Sequence, residues 1–509
     1  MLDYVLSALG HLIEPLNILL MLGGLTGGIL LGALPGLTAT MGVALMVPVT
    51  FAMDPISGLV MLGAIYAGAI YGGSNAACLI RTPGTPSSVA TTFDGFPMCQ
   101  AGKADEALYT ALLASAFGGV VGTIFLLFMS APLATFALKF GGPEIFWLCI
   151  FGLSTIAVMS RDNMLKGLLS GAFGLLVSTI GIDPNSGVPR FTCGFYPLAQ
   201  GVEIIPAMIG LFSFSQVLVL LGSDRQFIAE YSPSKGAFGR VARKLLADCK
   251  VNLLRSSVLG TLIGMLPGAG GEIASIIAYN ETKRWDDNPA RFGTGVVEGV
   301  AASESANNGV IGGSLIPMLT LGIPGSAVAA VILGALLAHG IQPGFKIFTE
   351  TGELAYTFIL SQMVVNILMI PVGYLLAKVM AKILNIRLTL VAVAIVTLSV
   401  IGSYAIRNSM LDVWVVIVFG LIAFFGGLVG LDTGAMALGI ILGPMVEENL
   451  GKCVHLAKAE GSLWNVFFTS PISLLLILFT LLSIATPFLL ELRGKKKARR
   501  TAACMESRS

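Results

Sequence analysis

Apolar residues in this chain fall in long, nearly unbroken runs rather than in alternating or one-faced patterns. Residues 16–34, 107–129, 204–221, 357–376 and 474–490 are examples. About 20 such residues in a helix cross the roughly 30 Å hydrocarbon layer of a bilayer. Read along its whole length, the pattern predicts an all-α integral membrane protein with roughly ten to twelve transmembrane segments, some of them broken. Residues 1–10 lack the basic start of a cleaved leader, and Asp3, His11 and Glu14 suit a short interfacial helix before the first span.

Composition sharpens this reading. Of 509 residues, 55% are hydrophobic and 11% charged, with a mean hydropathy of +0.88. Soluble domains carry about 25% charged residues, so too few are present here to cover a water-soluble surface. Basic residues crowd two places. Arg225, Lys235, Arg240, Arg243, Lys244, Lys250 and Arg255 occupy one loop, and Arg493, Lys495, Lys496, Lys497, Arg499 and Arg500 form the tail. Both are expected on the cytoplasmic side, as are Arg161, Lys166 and the 378–387 turn. The 182–200 loop, with Arg190 its only basic residue, is expected outside. The net charge of +2 gives no reason to expect a nucleic-acid partner, and seven scattered cysteines indicate neither a disulfide framework nor a zinc site.

The chain also repeats itself. Gly32-Ala-Leu-Pro-Gly36 returns as Gly264-Met-Leu-Pro-Gly268. Gly72-Gly-Ser74, Thr82-Pro-Gly84 and Ser87-Ser-Val89 follow the first copy. Gly312-Gly-Ser314, Ile323-Pro-Gly325 and Ser326-Ala-Val328 follow the second. Four elements in one order at similar spacing mark an internal duplication. By the charge rule, the helix from about Asp105 runs outward and its counterpart from about Glu353 runs inward. The copies are therefore expected to be inverted, a hallmark of secondary transporters. The predicted organisation is an interfacial segment (1–15), a first membrane repeat (16–222), a cytoplasmic basic linker (223–250), a second repeat (251–490) and a basic cytoplasmic tail (491–509).

Chemistry concentrates where the apolar runs are interrupted. Pro35-Gly36, Pro83-Gly84, Pro267-Gly268 and Pro324-Gly325 each remove a donor and weaken the helix. Freed backbone groups in hydrocarbon must be buried in protein or line a wet cavity. Thr85 before Pro86, and Ser326, suit the start of a new helix, and Ser87 follows closely. Half-helix N-termini meeting in mid-membrane present N–H groups and positive dipole ends, which suits a carboxylate. Proline kinks that only shape packing are the alternative. Arg81 either pairs with a substrate carboxylate or snorkels to an interface. Ser74 and Asn75 in the first copy, with Ser303, Glu304, Ser305, Asn307 and Asn308 in the second, form an oxygen-rich set of the kind sodium accepts. Glu304 either binds a coupling cation there or faces a vestibule. Glu298, Ser314 and Thr320 accompany the second copy, and Asp432 is a further carboxylate candidate. Gly24, Gly28, Gly32 and Gly36 recur every fourth residue as a close-packing stripe. No G-x-x-x-x-G-K-[ST], HExxH or G-x-S-x-G motif is present, so neither ATP hydrolysis nor a familiar intramembrane hydrolase is expected.

Three stretches are more specific still. Gly32-Ala-Leu-Pro-Gly-Leu-Thr38, Gly264-Met-Leu-Pro-Gly-Ala-Gly-Gly271 and Glu298-Gly-Val-Ala-Ala-Ser-Glu-Ser-Ala-Asn-Asn308 resemble the TctA family, the large membrane subunit of bacterial tripartite tricarboxylate transporters. The resemblance runs from about residue 16 to about 490. It adds Thr38, Gly270 and Gly271 to the substrate-site candidates. It implies a small membrane subunit of about four helices, a periplasmic solute-binding protein, and ion-driven uptake of citrate or a related carboxylate across the bacterial inner membrane. No resident cofactor is expected, and sodium is the expected coupling ion. A stand-alone carboxylate carrier and a channel remain the alternatives.

Overall fold

The computed structural model describes residues 2–34, 36–154, 164–183, 186–221, 236–267, 270–380, 388–460 and 462–483. Expectations placed on Pro35, Gly268, Arg161, Arg225, Lys235, most of the 378–387 turn and the basic tail lie outside the described residues.

Two compact units are present. The larger collects residues 1–138 and 203–425, the smaller 139–202 and 426–509. Each unit therefore takes chain from both sequence halves. The larger contains α1 (Leu2–Leu12), α2 (Pro15–Ala33), α3 (Ala39–Thr50), α4 (Pro55–Ile80), α5 (Thr92–Gln100) and α6 (Ala104–Ala137). The smaller begins with α7 (Gly142–Ser154), α8 (Met164–Ser178) and a two-stranded antiparallel hairpin, β1 (Gly181–Ile182) and β2 (Pro189–Arg190). The chain then re-enters the larger unit as α9 (Ile204–Leu221), which carries a π turn over Ile209–Phe214. There follow α10 (Ala237–Ala247), α11 (Lys250–Gly264), α12 (Gly270–Arg284), α13 (Val297–Leu321), α14 (Ala327–Ala338), α15 (Phe345–Thr349), α16 (Gly352–Ala377), α17 (Leu388–Arg407) and α18 (Met410–Leu428). The smaller unit closes with α19 (Thr433–Glu460), α20 (Leu463–Phe468) and α21 (Pro471–Ser483).

Among the described residues, six helices are long and apolar enough to cross a membrane: α2, α4, α6, α9, α16 and α18. Six shorter apolar helices accompany them. α4 is buried almost throughout, and α13 is buried from Val297 to Thr320 with only Glu298 partly exposed. α13 packs along α6, α2 along α4, and α11 along α13.

Glycine makes these contacts possible. In the α2–α4 pair, Gly28 and Gly32 face the carbonyls of Ile65 and Ala69; a Cβ on Gly28 would lie 2.5 Å from the Ile65 oxygen. In the α11–α13 pair, Gly260 and Gly264 face the carbonyls of Ala306 and Val310, and a Cβ on Gly264 would lie 2.7 Å from the Val310 oxygen. Gly68 and Gly72 return the approach toward Leu25 and Ile29, as Gly309 and Gly313 do toward Ser257 and Thr261. Backbone contact of this kind suits helices in lipid, where dispersion rather than water exclusion drives association.

After each long helix the chain turns back in the same way. Gly84 N–H donates to the Gly73 carbonyl at 3.1 Å, and Gly325 N–H donates to the Ser314 carbonyl at 3.3 Å. The contacts thus match Gly73, not Ser74, with Ser314, one residue off the register read from the Gly-Gly-Ser motifs. The helix-ending residues are Arg81 and Gly322, both left-handed, with φ of 55° and 72°.

One buried carboxylate ties a segment of the first copy to the second. Asp94 in α5 accepts N–H bonds from Gly293, Gly295 and Val296 at 2.8–3.0 Å, and the Tyr279 hydroxyl at 2.9 Å. It thereby fixes the loop that leads into α13, at the positive end of that helix. Asp94→Ala is expected to cost at least about 2 kcal/mol, since several charge-assisted bonds go at once. Tyr279→Phe is expected to cost about 1 kcal/mol. Thermal unfolding of both variants measures this; equal midpoints would remove the locking role.

In the same loop, Asp286 accepts from Arg291 at 3.1 and 2.5 Å, and these bonds hold its carboxyl below the ordinary range. A lowered carboxylate stabilises above its unfolded pKa and loses that contribution as pH falls through the lower folded value. Cleavage of the 285–296 loop by pepsin is therefore expected to accelerate only below about pH 3.9. Arg291→Gln is expected to speed cleavage and to flatten this acid step, because the folded and unfolded values then converge.

Candidate functional site

All four predicted interruptions occur. α2 ends at Ala33 and α3 begins at Ala39; α4 ends at Ile80 and a 3-10 turn covers Pro86–Ser88; α11 ends at Gly264 and α12 begins at Gly270; α13 ends at Leu321 and α14 begins at Ala327. Thr38 caps α3 by accepting from Met41 N–H at 3.1 Å, and Ser326 caps α14 by accepting from Ala329 N–H at 3.2 Å. Thr85 behaves differently from expectation. Its hydroxyl pairs with those of Ser87 and Ser88, both at 3.1 Å, rather than with the backbone, and the helix resumes only at Thr92. The extra residues of this copy are spent on a hydroxyl-rich turn.

The interruptions of the two copies meet. A Cβ on Gly271, at the start of α12, would lie 2.9 Å from Ser87 Cβ and overlap Asn307 Oδ1. On the other side, the Tyr66 hydroxyl stands 3.2 Å from Ser314 Oγ and 3.1 Å from Ser326 Oγ. The two breaks thus approach each other at Ser87 and Gly271, and the long helix of the first copy reaches the break of the second through Tyr66. Thr85, Ser87, Ser88, Gly84 and Gly325 are buried, whereas Gly270, Gly271, Pro267 and Ser326 are partly exposed. Thr82, Pro83 and Pro324 flank these turns, Pro324 buried and the other two partly exposed.

Glu304 lies at the seam of α13 with α6. Its Oε1 accepts the Thr91 hydroxyl and its Oε2 accepts the Ser115 hydroxyl at 3.0 Å. It is fully buried, and no Lys or Arg pairs with it among the described residues. A buried carboxylate without a countercharge is costly in a membrane protein. Nearby donors are partly spent. Ser74, Ser303 and Ser305 give their hydroxyl protons to the carbonyls of Tyr71, Gly299 and Ala302. Asn308 gives Nδ2 to the Glu304 carbonyl at 3.2 Å, and its Oδ1 is unpartnered. The amides of Asn75 and of Asn307 are buried and make no well-formed hydrogen bond among the described residues, Asn75 facing the Tyr71 hydroxyl and Asn307 the Glu304 carboxylate. Orphaned buried amides of this kind call for a ligand, an ion or water.

Other candidates fall elsewhere. Arg81 is exposed, its guanidinium 5.8 Å above the Phe96 ring, and Gly36 is exposed with φ of 91°. Glu298 faces Lys244 at 3.8 Å and Arg291 at 3.5 Å. Asp432 caps α19 by accepting from Gly434 and Ala435 N–H at 2.8 and 3.2 Å. Tyr66, Thr91, Ser115 and Asp94 were not singled out from sequence. Tyr66 has a weak signal, one of two phenols in a helix rich in glycine and alanine. Ser115 has none, being one hydroxyl in an alanine-rich stretch.

Interrupted helices that face one another, with orphaned amides and an uncompensated carboxylate between apolar spans, define a multi-pass membrane protein built around a buried polar centre. The chain belongs to the tripartite tricarboxylate transporter TctA family, whose model matches residues 18–438. It is a membrane component of a transporter, in a family whose members work with partner subunits. It is 36% identical over 490 residues to an uncharacterized 52.8 kDa protein in the TAR-I ttuC' 3' region of Agrobacterium vitis, covering 95% of each chain. It is 37% identical over 237 residues to an uncharacterized protein in the TAR-II ttuC' 3' region of the same organism, covering 47% of this chain and 97% of that one. No solved structure matches.

Proposed function

We propose that this chain is the translocating subunit of a secondary active importer of citrate-like tri- or dicarboxylates, working by alternating access. A periplasmic solute-binding protein delivers the substrate, and a small four-helix membrane subunit completes the complex. The two copies stand inverted in the bacterial inner membrane, with the C-terminus in the cytoplasm. The observation that supports this reading best is the meeting of the breaks. Ser87 of one copy lies against Gly271 of the other, beside which Asn307 also stands, and Tyr66 lies against Ser314 and Ser326. N–H groups at the starts of α3, α12 and α14 supply donors for carboxylate oxygens, and the Thr85–Ser88 hydroxyls and the amides of Asn75 and Asn307 add neutral ones. Arg81 serves as a cation at the edge of the path.

Sodium fits the oxygen set around Glu304. The carboxylate supplies charge, the free Oδ1 atoms of Asn307 and Asn308 supply neutral ligands, and Asn75 supplies another from the first copy. Uptake of radiolabelled citrate, with each of the three proteins omitted in turn and sodium replaced by choline, tests the reading. Concentrative uptake that needs all three proteins and sodium is expected. Uptake by this chain alone in liposomes would favour a self-sufficient carrier. Uptake that ignores sodium and collapses with the proton gradient would remove the sodium assignment.

A further inference from the structure

A cavity of about 260 Å³ lies away from the polar centre, between α6, α10, α11 and α16. Its walls include Ala116, Phe117, Leu245 and Ile370, and Asn366 is its one polar lining residue. Asn366 donates Nδ2 to the Gln362 carbonyl at 2.7 Å, leaving only Oδ1 unpartnered. A dry apolar cavity of about 150 Å³ already accepts a benzene ring, so this one is large enough for several methylene groups. Leu246 and Ile367 line it and are 68% and 55% exposed, so the apolar wall continues onto the outer face of the helices. α16 is a membrane-crossing helix with much of its surface uncovered, which places that face against acyl chains.

The helix that closes the cavity is the most amphipathic among the described residues. α10 buries Ala237, Val241 and Leu245 and turns Arg240 and Arg243 outward, a form suited to lying at the bilayer interface. Arg243 is one turn from Leu246 on the same helix face, and Lys250 is exposed at the start of α11. Between Ala237 and Lys250, Asp248 is the one acidic residue, against Arg240, Arg243, Lys244 and Lys250. Arg240 and Lys244 lie 4.0 and 3.8 Å from Glu106 and Glu298, so Arg243 and Lys250 are the cations turned to the outside. Apolar cavity, interfacial helix and outward cations thus stand in the order of a phospholipid's chain, glycerol region and head.

We propose that this cavity holds one acyl chain of an anionic phospholipid, with its headgroup on Arg243 and Lys250. Lys244 joins α10 to Glu298 in the first turn of α13, so occupancy bears directly on the helix that carries Glu304. The bound lipid fixes α10 against α6 and α16.

The full chain, purified in a mild detergent and incubated with phosphatidylglycerol or phosphatidylcholine, tests this by native mass spectrometry. One phosphatidylglycerol is expected to survive delipidation, at least tenfold above phosphatidylcholine. Ala116→Leu and Ala242→Phe fill the cavity and are expected to abolish retention while keeping a monodisperse, cooperatively unfolding protein. Arg243→Gln is expected to erase the preference for the anionic lipid. Equal retention of both lipids by the unaltered protein, or undiminished phosphatidylglycerol in the well-folded filling variants, would overturn the proposal. So would loss of the lipid on co-expression with the small membrane subunit, which would make the groove a protein-docking site. If both filling variants fail to fold, Arg243→Gln decides alone, because that exposed residue lines no cavity wall.

Discussion

Replacing Glu304 by Gln is expected to lower uptake by about 10- to 100-fold while the protein still folds. The carboxylate is fully buried and accepts from Thr91 and Ser115, and a glutamine keeps the volume and can still accept from one of them. What it loses is charge, and charge-assisted bonds of about 1.5–3 kcal/mol correspond to that range in rate. Glu304→Ala is a different experiment. It leaves two buried hydroxyls without an acceptor and opens a void, so stability and transport should fall together. Measuring uptake and thermal midpoint on both variants separates the roles. Glu304→Gln with undiminished uptake and unchanged ion dependence would make this residue a structural tie between α6, α13 and the segment before α5.

The second large effect concerns the seam on which Glu304 sits. A Cβ on Gly118 would overlap the Ser305 carbonyl, and one on Gly122 would lie 2.7 Å from the Gly309 carbonyl. Backbone cannot move aside as a flexible side chain can. Gly118→Val is expected to cost more than about 3 kcal/mol and to abolish recovery of monodisperse protein. Gly27 has nothing within 4 Å of its would-be Cβ, so Gly27→Val is the matched control with little expected effect. Size-exclusion profiles of the two variants decide. Normal recovery of Gly118→Val would mean that α6 and α13 are not held this close.

Much of this was legible in the chain. The apolar runs identified α2, α6, α9 and α16 because lipid-facing helices must be apolar over about 20 residues. The four interruptions were legible because proline and glycine act through the backbone of their own segment. The recurring glycine motifs were legible because glycine in both segments meets carbonyls of a neighbouring helix at one-turn spacing. What was not legible is long-range. Tyr66 meets Ser314 and Ser326 across about half the chain, and Thr91 and Ser115 meet Glu304 through packing that no local pattern encodes. Thr85 stands at the N-cap of the Pro86–Ser88 turn as its sequence suggests, but its hydroxyl pairs with Ser87 and Ser88 rather than with the backbone. Asp432 and Glu298 looked like site residues in the sequence because both are carboxylates beside apolar runs. A helix cap and a surface ion cluster occupy them instead.

The division of the chain into units bears on how the protein is made. Residues 139–202 leave the ribosome long before residues 426–483, with which they form one compact body. At 5–20 residues per second, the intervening segment takes about 10 to 45 seconds to synthesise. During that interval α7 and α8 stand without α19, the helix they pack against. A chain truncated between residues 203 and 425 therefore leaves neither unit whole, and one truncated soon after 425 leaves 139–202 without its partner, so quality-control proteases would meet an orphaned fragment.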